Sequence, residues 1–150
     1  MLKGIDPLLT PDLLKVLAQM GHGDDIVVAD ANFTATSLAA GKPVIELPGV
    51  GTLRAAQAIL SLLPLDEQVD QPVAYMQVSG SPAGQLSGLQ QEVLTHLQAT
   101  GQAQASQCQA LERFAFYDRV RGAFAIVHTG EMQPYGNFLF KKGVIAEPLR

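Results

Sequence analysis

The chain has 150 residues, 47% of them hydrophobic and only 16% charged, with a net charge of −4. That length suits one domain spanning 1–150, large enough to bury about 68–70% of the surface its unfolded chain exposes. With no basic cluster beyond Lys141-Lys142, the chain lacks the lysine- or arginine-rich stripe that nucleic-acid binding needs, and no apolar run approaches the ~20 residues of a membrane span.

The segment Met1–Pro7 lacks the apolar core of a signal peptide. The single cysteine, Cys108, excludes an internal disulfide framework. It lies in a polar Gln/Ala/Ser stretch with no histidine nearby and reads as incidental. A cytoplasmic location is expected. A surface this poor in charge suits a homo-oligomer, although many monomers are as sparsely charged.

Thr10-Pro11-Asp12 has the chemistry of a helix start: a hydroxyl cap, a proline at the first helical position and an acid facing the positive helix end. Leu13, Val16, Leu17 and Met20 follow at helical spacing, and Gly21 is expected to close that helix in a left-handed conformation. Ile26–Ala29 reads as a buried strand preceded by His22 and followed by Asp30. Ligands of open α/β sheets bind at the carboxyl ends of strands. An imidazole and a carboxylate are thereby expected in one pocket built for proton transfer. Each residue also has a plainer reading, His22 as a surface group after a helix end and Asp30 as a turn cap.

Further strands are expected at Pro43–Leu47 and Pro72–Ser79, with a helix between them from Thr52 to Leu63 that Pro64 ends. Ser87 and Gln90 have capping-box spacing before a helix carrying Leu89, Val93, Leu94 and Leu97. Residues 101–109 read as a polar surface connection and 110–121 as a helix. The last strands are expected at Ala123–Thr129 and Asn137–Lys142, joined across Gly130–Gly136, with a hairpin as one arrangement of that short connection. Alternating helical and strand periods favour a layered α/β domain with a mixed sheet.

Arg113 and Tyr117 are four residues apart and share a helix face, where they either bind sugar hydroxyls or decorate a surface. Phe114, Phe116 and Phe124 read as core or interface packing. Gly136 in Tyr135-Gly136-Asn137 permits an unusual backbone angle and close approach of a ligand. Tyr135 offers a phenol and Asn137 a donor and an acceptor; ordinary turn chemistry is the competing reading. His96 reads as exposed or half-buried, and His128 lies near enough to a strand end to approach the site. Pro48–Thr52 permits an anion-binding nest, with loop closure the preferred reading. There is no zinc cluster, Walker-type phosphate loop or nucleophile elbow. What remains is acid–base chemistry with no metal and no cofactor.

These segments closely resemble the ribose pyranase and fucose mutarotase family. The residues that carry the resemblance are Met1–Ile5, Leu13–Asp30 with Met20-Gly21-His22-Gly23-Asp24, Arg113-Phe114-Ala115-Phe116-Tyr117, Ala123–Gly130, Tyr135-Gly136-Asn137 and Lys141–Val144. Arg113 and the Phe-Ala-Phe-Tyr run are similar to the fucose branch. Asn32-Phe33-Thr34, Asp118 and the tail from Ile145 depart from the usual pattern. The resemblance implies a three-layer α/β/α domain with a mixed sheet, assembled as homo-oligomers, often decamers. It implies a cofactor-independent isomerase acting on a monosaccharide, interconverting the α and β anomers of L-fucose. His22 matches the family's proton donor; Asp30, Arg113, Tyr135, Gly136 and Asn137 match its sugar-binding positions, and Tyr117 a tyrosine near the pocket. The alternatives are pyranose–furanose exchange of D-ribose and a non-catalytic sugar-binding protein.

Overall fold

The protein, described here by a computed structural model, is defined over residues 1–150. In chain order the elements are α1 (Pro11–Gln19), β1 (Asp25–Ala29), α2 (Ala35–Ala39), β2 (Val44–Leu47), α3 (Thr52–Leu60), β3 (Val73–Met76), α4 (Gly88–Ala99), β4 (Cys108–Leu111), α5 (Arg113–Arg121), β5 (Ala125–Thr129) and β6 (Phe138–Lys141). The strands form one six-stranded sheet in the order β2-β5-β1-β6-β3-β4. All run in one direction except β6, which is antiparallel to both β1 and β3.

The central strands are apolar on both faces because helices cover both. On one side Ile26 and Val28 of β1 pack with residues of α1, α3 and α4; on the other Val27 and Ala29 pack with α2 and α5. The result is the expected α/β/α sandwich with a mixed sheet. The sequence signals hold locally. Thr10 Oγ1 accepts from the Leu13 N–H at 3.2 Å with Pro11 opening the helix, and Ser87 and Gln90 form a complete capping box.

Several expectations are corrected. β5 and β6 are no hairpin: β1 lies between them, paired parallel to β5 and antiparallel to β6. β1 offers a long apolar edge on each side, and the loop before β6 is long enough to step across it. The helix expected over 110–121 begins only at Arg113. Residues 108–111 instead form β4, a half-buried edge strand, four residues being too short to show a period. The five-residue α2 escapes sequence reading for the same reason. Gly21 is not left-handed; Met20 ends α1 in extended backbone, and Gly23 at φ +85° makes the turn into β1.

Loops at the carboxyl end of the parallel strands meet closely at Gly130, where an added Cβ would lie 2.0 Å from the Pro48 carbonyl oxygen. Gly130→Ala therefore forces apart the connections that follow β2 and β5. We expect a loss of about 1–3 kcal/mol, as for other overpacked sites, read as a fall in Tm of about 2–4 °C for each kcal/mol.

Candidate active site

The carboxyl ends of β1, β3 and β4 and the entry to β6 converge on a pocket of about 210 Å³. Its polar lining is Asp30, Asn32, Arg113, Tyr117, Tyr135 and Asn137, and its apolar wall Phe33, Met76 and Pro134. The volume falls below the roughly 300–1,000 Å³ typical of drug-sized ligands and suits a single small ring.

At its base Asp30 and Asn137, both almost wholly buried, bond reciprocally. The Asp30 N–H donates to Asn137 Oδ1 at 2.8 Å, and Asn137 Nδ2 donates to Asp30 Oδ2 at 3.0 Å. The other Asp30 oxygen accepts from the Asn32 N–H at 3.0 Å. Burial pushes the Asp30 carboxyl above its usual range, opposed by the N–H of Asn32, by Asn137 and by the N–H groups of Gly136 and Tyr135. Asp30 is thus a desolvated acceptor held in one orientation. The second hydrogen of Asn137 Nδ2 points towards Met76 Sδ at 3.9 Å, so Asn137 serves the pocket largely through Asp30.

Arg113 opens α5 above the pocket. Its Nε donates to Tyr117 Oη at 3.0 Å, and the guanidinium lies 5.4 Å from the ring centroids of both Phe114 and Tyr117. The shared helix face thus orders the cation, and the bond to Tyr117 favours the charged guanidinium. Of the phenylalanines nearby, Phe116 is fully buried, Phe124 packs against the core, and Phe114 is exposed.

Tyr135 and Gly136 exchange the parts expected of them. Tyr135, not Gly136, adopts the left-handed backbone, at φ +62°. Gly136 is required by packing: a Cβ there would meet Thr52 Oγ1 at 2.8 Å and both Glu131 Cγ and Leu89 Cδ2 at 3.0 Å. Glu131 also fills the nest before α3, accepting from the Thr52 N–H at 3.2 Å. That helix start therefore closes a loop and binds no external anion.

His22 is not in this pocket. It precedes β1 whereas Asp30 follows it, and a five-residue strand separates the two ends by about 16 Å. The expectation of one shared pocket within a single chain is corrected accordingly. His22 is half exposed, and its Nε2 lies 3.1 Å from Oδ1 of Asp66, whose side chain is 4% exposed. The Asp66 carboxyl is held below the usual carboxylate range, first by the Gln68 N–H and, against the opposing effect of burial, by His22 and Lys141. Sequence reading missed Asp66. It lies 44 residues from His22 and arrives only by chain pairing: the Gly23 N–H donates to the Lys142 carbonyl, and Lys142 bridges to Leu65. No local spacing signals that route. Only Gly143 hints at it, since a Cβ there would lie 2.5 Å from the Leu65 carbonyl oxygen.

A larger cleft of about 310 Å³ borders Asp66, Gln102, Gln107 and Ile145. It lacks the convergent, oriented groups of the Asp30 pocket, and size alone does not make it the site. His128 also stays outside the pocket, its ring nitrogens 2.9 Å from Glu46 Oε2 and 3.1 Å from the Ala31 carbonyl oxygen. Burial pushes the Cys108 thiol up to about 11, which makes it inert.

Fold and pocket together define a layered α/β protein with a strand-end site suited to a small polyhydroxylated molecule. The chain belongs to the RbsD / FucU transport protein family, whose model matches residues 3–145. It is 45% identical over 147 residues to the fucose mutarotase of Bos taurus, covering 97% of this chain and 95% of that protein. It is 43% identical over 146 residues to the L-fucose mutarotase of Actinobacillus pleuropneumoniae serotype 5b (strain L20), covering 96% and 97%. Among solved structures, the fucose mutarotase of Streptococcus pneumoniae in complex with L-fucose superposes with a TM-score of 0.85 at 37% identity, covering 97% of this chain and 100% of that one. Bacillus subtilis RbsD complexed with D-ribose superposes with a TM-score of 0.72 at 25% identity, with the same coverage. No helix is long and apolar enough to cross a membrane.

The Asp30–Asn137 pair gives a pH-dependent test. In Asn137→Asp a second carboxylate faces Asp30 Oδ2 at the 3.0 Å now spanned by the amide. Like charges raise the folded pKa of the pair above the unfolded value of about 3.9. The penalty is therefore absent below that value and grows as pH rises through the raised one. Urea melts should show a loss of at least about 2 kcal/mol at pH 7 and near recovery at pH 4.

Proposed function

We propose that the protein is an isomerase that interconverts the α and β anomers of L-fucose by ring opening and reclosure, without a cofactor, in the cytoplasm. The observation that carries this reading is the oriented Asp30–Asn137 pair beside Arg113 in a pocket the size of one sugar ring. The 43–45% identity to fucose mutarotases over nearly the whole chain supports it. The apolar wall of Phe33, Met76 and Pro134 suits the methyl group of a 6-deoxy sugar. D-ribose has no such group to place there, which favours fucose.

The acid–base group of this reading is His22, supplied by a second copy of the chain in a homo-oligomer. Each half carries exposed apolar surface that contact between copies would bury: Phe114 is 63% exposed beside Arg113, and Val144 and Ile145 are 51% and 84% exposed near Asp66. With His22 Nε2–H donating to Asp66, Nδ1 is left to exchange a proton with the sugar. Asp30 accepts a hydrogen bond from one hydroxyl, and Arg113 with Tyr117 and Tyr135 holds its neighbours. The proton leaves the C1 hydroxyl as the bond from C1 to the ring oxygen breaks and that oxygen gains a proton. The open aldehyde turns about its C1–C2 bond and closes on its other face by the reverse transfers, so atoms and protons balance over the cycle.

Magnetisation exchange between the anomeric NMR signals of L-fucose and D-ribose tests the proposal. The protein should accelerate fucose exchange well above buffer and ribose exchange less. Thermal stabilisation by fucose with no acceleration would instead identify a sugar-binding protein. His22→Ala should slow exchange by about 10²–10⁴-fold, the usual contribution of a positioned acid–base group, with the fold retained and at most a small fall in Tm from the lost bond to Asp66. Co-assembled His22→Ala and Arg113→Ala chains should regain part of the lost activity, because some sites then receive both intact halves. Failure of that mixture to recover would show that the two halves do not meet across an interface.

A further inference from the structure

The capping box read from the sequence has an unused member. Gln90 is fully buried, and only its Oε1 serves the cap, accepting from the Ser87 N–H at 3.1 Å. Its Nε2 donates both hydrogens elsewhere: to the Met76 carbonyl oxygen at 2.7 Å and to the Tyr135 carbonyl oxygen at 3.1 Å. A helix cap needs neither bond. The next carbonyl along the chain, that of Gly136, accepts from Thr52 Oγ1 at 2.8 Å, again from a fully buried residue. Two consecutive carbonyls that enter the pocket loop are thus gripped by interior side chains from α4 and α3.

A peptide unit has two ends. The carbonyl of Tyr135 and the N–H of Gly136 belong to one plane and point in opposite directions. While Gln90 holds that carbonyl on the inner side, the Gly136 N–H faces the Asp30 carboxylate, whose ionised form it favours. The grip also acts on the residue with the costly backbone, since Tyr135 is held left-handed at φ +62°, a conformation that bulky side chains keep only where surroundings over-determine it. Without the grip, the 135–136 peptide is free to turn over and the phenol of Tyr135 to leave the pocket wall.

We propose that Gln90 and Thr52 are positioning residues for the sugar site: by clamping the Tyr135 and Gly136 carbonyls they fix the peptide orientation that presents Tyr135, the Gly136 N–H and Asp30 to the ligand. The proposal rests on the reading of this pocket as a fucose site. Besides Asp30, the charged and titratable groups facing the pocket are Arg113, Tyr117 and Tyr135, joined on the proposed reading by His22 of a second copy, and replacing Gln90 or Thr52 removes none of these side chains.

The test compares four variants in L-fucose anomer exchange across pH: Gln90→Met, Thr52→Val, Thr52→Ser and Ser87→Ala. Gln90→Met keeps length and removes the clamp; Thr52→Val removes the other hydroxyl and Thr52→Ser restores it. Ser87→Ala breaks the same helix cap but spares both bonds from Gln90 Nε2. Gln90→Met and Thr52→Val should raise KM about tenfold, the scale of one lost hydrogen bond, with a smaller change in kcat. Gln90→Met should also move the acid limb of the profile to higher pH, because the 135–136 peptide it releases carries the N–H that favours ionised Asp30. Thr52→Ser and Ser87→Ala should keep the wild-type limb even where Tm falls. Wild-type KM and acid limb in both clamp variants, or an equal shift in Ser87→Ala, would overturn the proposal.

A readout independent of turnover separates this proposal from the functional one. The amide proton shift of Gly136 should follow the titration of Asp30 in the wild type and lose that response in Gln90→Met. If the wild type fails to exchange anomers, the fucose reading fails while the amide titration still decides the clamp. Where Gln90→Met does not fold, the Thr52→Val and Thr52→Ser pair decides it.

Discussion

The site depends on the reciprocal bonding of Asp30 and Asn137, which joins the end of β1 to the start of β6. These strands are antiparallel neighbours in an otherwise parallel sheet. The pair therefore stands where the loop leaving one strand meets the loop entering the other. A buried carboxylate without partners would neutralise itself or cost several kcal/mol. Asn137 supplies both a donor and an acceptor and adds no charge, so Asp30 stays available as an acceptor for a ligand. An arginine in that position would bind the carboxylate more strongly and take away the oxygen that a sugar hydroxyl needs.

Behind this pair the loop before β6 is held by side-chain contacts more than by sheet bonding. Glu131 accepts from the start of α3 and from the Gln133 N–H, Thr52 and Gln90 hold successive carbonyls, and Gly136 leaves room for Thr52, Glu131 and Leu89. At the inner end of the loop before β6 the Tyr135 and Gly136 carbonyls are thus satisfied by interior side chains, as buried polar groups must be. The pocket wall gains a fixed shape from a segment with no regular secondary structure. Arg113 contrasts with it, lying exposed and ordered only by the rings beside it.

What the sequence disclosed follows from which interactions are local. The α1 and α4 caps, the apolar stripe of α3, the apolar run of β1 and the layered α/β class were legible because each rests on neighbours within a turn or two. The residues gathered at the pocket were legible mostly through family resemblance; their spacing alone left Tyr135–Asn137 as an ordinary turn. β4 and α2 were illegible because four or five residues show no period. The placement of β6 beside β1, and hence of Asp66 beside His22, is a matter of long-range pairing that no window of sequence contains. The roles of Tyr135 and Gly136 were transposed for a related reason. Backbone freedom is the local reason for a glycine, but here its absent side chain makes room for Thr52, Glu131 and Leu89.

The distance between His22 and Asp30 has a chemical logic of its own. Opposite unit charges about 4 Å apart attract by roughly 4 kcal/mol at an effective dielectric near 20. An imidazolium bonded directly to Asp30 would therefore occupy the carboxylate oxygen that a ligand hydroxyl would need. In the fold each acquires a different partner. The neutral amide of Asn137 orients Asp30, while Asp66 orients the ring of His22 from behind and leaves its outer nitrogen free. On the proposed reading, the two half-sites at opposite ends of one strand complete each other across an interface between copies of the chain.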